Sequence, residues 1–66
     1  MAETGRLEIA RMVLAEVTGE LEDATIIAAE RQVTPDLAEA RRSCERLIAV
    51  LEACLGRLQH LRRQLG

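Results

Sequence analysis

The single proline of this chain, Pro35, stands just past its midpoint in the stretch Gln32-Val33-Thr34-Pro35-Asp36. No other feature restricts the fold as much. Proline at a first helical position gives up an N–H that has no partner there, a hydroxyl residue before it can act as N-cap, and a carboxylate after it meets the positive end of the helix dipole. A helix is therefore expected from Pro35. The residue ahead of a proline is pushed out of the α region, so a helix arriving from the N-terminal side has to stop by about Val33. The chain is thereby cut into two segments of nearly equal length with a short joint, and short joints make antiparallel neighbours.

Both segments carry helical periodicity. In the first, Leu7, Ala10, Leu14, Val17, Leu21, Ala24 and Ala28 follow at spacings of three and four, which places them on one stripe of a helix. In the second, Leu37, Ala40, Cys44, Leu47, Leu51, Cys54, Leu58, Leu61 and Leu65 do the same. Two such stripes laid together form a coiled-coil-like seam, with small residues on one helix and leucines on the other. The expected fold is all-α, an antiparallel two-helix hairpin occupying residues 1–66 as one domain, with helices over about 4–32 and 35–65 and a turn at 33–34. Thr18-Gly19 is the one place where the first helix could bend, because glycine costs about 1 kcal/mol in a helix interior.

A hairpin this small has little to hold it. The chain has 66 residues and no aromatic ring, and ordering each residue costs roughly 1 to 2 kcal/mol, so a staple or a partner is expected. Cys44 and Cys54 supply no staple, since ten positions on one helix separate them by about 15 Å. The seams also leave apolar residues over. Ile48 and Leu55 widen one side of the second stripe and Val50 the other, while Ile9, Met12 and Val13 form a second patch on the first helix, followed near the turn by Ile26 and Ile27. Covering such side chains is worth roughly 1.5 to 3 kcal/mol each. The sequence thus points to a hairpin completed by another protein surface.

Charge and residue type narrow the function. Residues 1–33 hold three arginines against seven acids and residues 34–66 hold six arginines against four, so the two helices attract each other weakly. Arg57, Arg62 and Arg63 could meet phosphates, but the chain carries a net charge of -2 and no aromatic for stacking. Cations near a helix C-terminus also have a plain role against the dipole. Nucleic acid is not the expected partner. The lone histidine, His60, falls toward the polar face, and neither cysteine has the close Cys or His neighbour of a zinc site. No Ser-His-acid set, phosphate loop or carboxylate pair occurs, so neither an enzyme, a metal nor a cofactor is expected. The absence of a membrane-length apolar run and of a signal peptide gives a cytoplasmic expectation.

The run Leu51-Glu52-Ala53-Cys54-Leu55-Gly56-Arg57-Leu58-Gln59-His60-Leu61 resembles the second-helix pattern L-E-x-x-L-G-x-L-x-x-L of the YscE/PscE-type small co-chaperones of bacterial type III secretion. The Pro35-Asp36 turn is similar too. Leu37 stands where those proteins carry an aromatic. The resemblance implies a helical hairpin that binds a larger chaperone of tetratricopeptide-like (TPR-like) repeats, the pair keeping the needle subunit monomeric in the cytoplasm before export. On that basis Leu7, Ile9, Met12, Val13 and Ile27 would supply the partner contact, with Glu16 and Glu20 as rim charges. The competing expectation is a homodimeric four-helix bundle acting as an adaptor or RNA-regulatory protein, which the broad band around Leu47, Ile48, Leu51 and Leu55 suits.

Overall fold

The structure, a computed structural model, describes residues 2–66, with side chains from Thr4 onward. Two helices of equal length, α1 (Ala2–Glu30) and α2 (Leu37–Leu65), lie antiparallel, and no strand occurs among the described residues. The all-α hairpin expected from the periodicity is the fold. Its Cα trace measures 54 × 17 × 9 Å, which is a slab one helix thick.

The joint differs from expectation in detail. α1 ends at Glu30 and tightens into one 3-10 turn, Arg31–Val33. α2 begins at Leu37, two residues beyond Pro35, because Asp36 and not Thr34 is its N-cap: Asp36 is extended (φ −111°, ψ 118°) and its carboxylate accepts from the Ala38 N–H at 2.9 Å. The proline therefore ends the turn, and the next carboxylate opens the helix. Thr34 has another task. Its hydroxyl donates to Glu39 Oε2 at 3.3 Å while Arg31 Nη1 holds Glu39 Oε1 at 2.6 Å, so the first turn of α2 is clasped to the end of α1.

No break interrupts α1 at Thr18-Gly19. Thr18 donates its hydroxyl to the Leu14 carbonyl at 2.8 Å and Thr25 does the same to Leu21, a bond compatible with a continuous helix. The seam is thin. Ala10, Val17 and Ala24 from α1 and Cys54 and Leu61 from α2 are buried, and among the described residues no large side chain is completely enclosed. Half-buried Val13, Glu20 and Ile27 on α1, and Ala40, Ser43, Leu47, Val50 and Arg57 on α2, fill out the contact. Both cysteines are free thiols, Cys44 exposed and Cys54 buried.

One seam expectation is corrected. Of the first stripe, Ala10, Val17 and Ala24 face α2, but Leu7, Leu14, Leu21 and Ala28 stay exposed, with Val13, Glu20 and Ile27 in their place. On α2 the exchange is the same in kind: Ala40, Leu47, Cys54 and Leu61 remain, while Leu37, Cys44, Leu51 and Leu65 are exposed and Ser43, Val50 and Arg57 replace them; Leu58 is half-buried. The reason is angular. At ~100° per residue, the positions three before and four after a seam residue lie on one side of it and those four before and three after on the other, and a single neighbouring helix can cover only one of the two sides.

Candidate partner-binding face

The rotation of the seam sorts the remaining residues onto two broad sides. One side is charged. Asp23, Arg46 and Ala53 line one shallow groove beside the seam, and Val13, Ala53, His60 and Gln64 line another. Arg57 bridges the helices there, its Nη1 3.1 Å from Glu16 Oε2 and its Nη2 paired with Glu20 Oε1. The Cys54 thiol donates to Glu20 Oε2 at 3.1 Å, so a polar layer of Cys54, Glu20, Arg57 and Glu16 interrupts the apolar seam at mid-length.

Leucine lines the opposite side. In an antiparallel pair the residues four after each buried seam position fall together on one side; here they are Leu7, Leu14, Leu21 and Ala28 on α1, and Leu37, Cys44, Leu51, Leu58 and Leu65 on α2. Ala28 and Cys44 flank the same groove near the turn, which fixes the two rows to a common side. Ile48 and Leu55 extend it outward. Leu14, Leu51, Ile48 and Leu55 are each about half exposed, at 49%, 49%, 53% and 53%. Thr18 and Thr25 sit at the corresponding margin of α1, yet their hydroxyls are bonded to the helix's own carbonyls, so they add little free polarity. Among the described residues no carboxylate falls on either row; the margins carry Arg11, Arg41 and Arg62 together with Glu22, which lines a groove with Leu21, Thr18 and Thr25.

A contiguous apolar surface of this extent is unusual on a monomer and marks a place of contact. The residues expected to bind a partner are scattered relative to it. Leu7 is exposed on the leucine side; Ile9 and Met12 are exposed toward the charged side and the back of α1. Val13 and Ile27, half-buried, belong to the inter-helix seam, and so does Glu20. Glu16 and Glu20 are both engaged by Arg57 within the hairpin, where they act as internal partners. The larger surface runs through Leu14, Leu21 and Leu51, which the periodicity had assigned to the seam, and through Ile48 and Leu55, whose excess was visible in the sequence.

The residues that carry the family resemblance divide between the two sides. Leu51, Leu55 and Leu58 lie on the leucine side and Leu61 in the seam, whereas Gly56 faces the charged side, where a methyl group on it would meet nothing within 4 Å. Chemistry is sparse. Among the described residues no group of three or more His, Cys, Asp or Glu could hold a metal ion, and no helix is long and apolar enough to cross a membrane. No protein-family model, curated protein or solved structure matches this chain.

Proposed function

We propose that this chain is a non-catalytic co-chaperone that stabilises a larger chaperone of TPR-like helical repeats by laying its leucine side against it. The observation that carries the reading is the uncovered double row of leucines beside a seam too thin to hold the hairpin firmly. Covering half-exposed leucines and isoleucines gains about 1 kcal/mol for each, so four or five of them outweigh anything the polar layer supplies. Helix-on-helix docking of this type uses apolar residues spaced by three and four, as both rows do. In this reading the pair acts in the cytoplasm and holds the needle subunit of a type III secretion system monomeric before export, as the resemblance at residues 51–61 implies.

Co-expression with the repeat chaperone of the same secretion system tests it. Leu14→Asp combined with Leu51→Asp is expected to abolish co-purification, whereas Met12→Asp, on the other side of the hairpin, is expected to leave it intact. Loss with Met12→Asp and retention with the leucine pair would move the contact to the Ile9/Met12 patch; retention with both would remove the proposed function.

A further inference from the structure

We propose that a second copy of this chain covers the leucine side whenever no other partner holds it, closing two hairpins face to face into a four-helix bundle. That a chaperone would compete for the same side rests on the function proposed above; the pairing itself does not.

Surface area argues for a copy. The chain exposes 5327 Å², whereas a compact monomer of 7.3 kDa is expected to expose about 4,200 Å². The excess, about 1,100 Å², is the size of surface one partner contributes to a stable protein interface, about 800 Å². It is also the size of one broad side of a slab whose backbone measures 54 × 17 Å. Shape argues the same way, because α1 and α2 both have 29 residues and a second hairpin matches the side from end to end. Composition permits it: the rows between Arg41 and Arg62, and beyond Arg11, hold no charge, so stacking like on like buries no carboxylate. The arginines at the margin reach outward to water along their own stems.

Sedimentation of the full chain over about 1 to 100 µM is expected to give twice the 7.3 kDa chain mass. Leu51→Glu should leave a helical monomer, and Ile9→Glu, on the other side, should leave the dimer. Cys44, exposed on the leucine side, provides a readout in the unaltered chain: its alkylation is expected to slow at least tenfold as the protein is concentrated through the association. A well-folded monomer across the whole range overturns the proposal, and so does a dimer whose Cys44 reacts as fast as in the dilute chain. A dimer that fails to bind the repeat chaperone refutes only the proposed function, while a monomer that binds it refutes only the pairing.

Discussion

Arg57 occupies a seam position, and it is kept there by two carboxylates of the facing helix, Glu16 and Glu20. All three side chains are between about a third and three fifths exposed, so solvent screens the pair and its contribution to stability is about 0.5 to 1 kcal/mol. Its geometry matters more, because it bridges from α2 to two successive turns of α1 and so favours one register. Arg57→Ala is expected to lower the unfolding midpoint in urea by that modest amount. Glu20→Leu, which replaces a half-buried acid by a seam leucine, is expected to be neutral or slightly stabilising, since a well-packed apolar group often outperforms an ion pair; a loss above about 2 kcal/mol would show that the acid does more than fix register. Leu61 is the largest buried side chain, 5% exposed. Leu61→Ala should cost about 2 to 3 kcal/mol, enough to unfold much of the lone hairpin by circular dichroism. Leu61 as a seam residue was readable from the sequence; Arg57 there was not, because a charged residue at a seam position is recognisable only once its partners across the hairpin are known.

At the scale of the elements, the joint is secured by a cap and α1 carries a glycine in its middle. Asp36 caps α2 through the Ala38 N–H, so Asp36→Ala is expected to cost about 1 kcal/mol, whereas Thr34→Ala should cost less because Thr34 reaches only the Glu39 side chain. Equal losses would return the cap to Thr34. Gly19 lies within unbroken helix, and a methyl group there would meet nothing within 4 Å. Gly19→Ala should therefore raise stability by about 0.5 to 1 kcal/mol, read as a higher thermal midpoint; a fall would reveal a bend that the helix needs. The two helices and the proline between them were legible because turn chemistry and periodicity are local. The exact start of α2 was not, since Thr34 and Asp36 are both good caps and only backbone conformation chooses between them.

At the scale of the molecule, the slab has one charged side and one leucine side, and in the proposed reading its stability is tied to what covers the second. Ligand or self-association raises stability by mass action, so the thermal midpoint of the chain is expected to climb with its own concentration and to climb further when the repeat chaperone is added. A midpoint independent of both would mean that the thin seam suffices alone. The sequence by itself determined that this chain makes two long helices, where they meet, and that their apolar surface exceeds what two helices can bury, because each of these follows from the order of residue types along one strand of polypeptide. Which part of that surface is buried was decided only in three dimensions. Leu14 and Val13 both neighbour the line of Ala10 and Val17, and spacing ranks them equally; the choice falls to the rotation of α1 about its axis, set by α2 packing on the other side with Arg57 drawn to Glu16 and Glu20. That rotation turned Val13 and Ile27 inward, left Leu14 and Leu51 in water, and so moved the candidate face from the patch that looked free to the stripe that looked used.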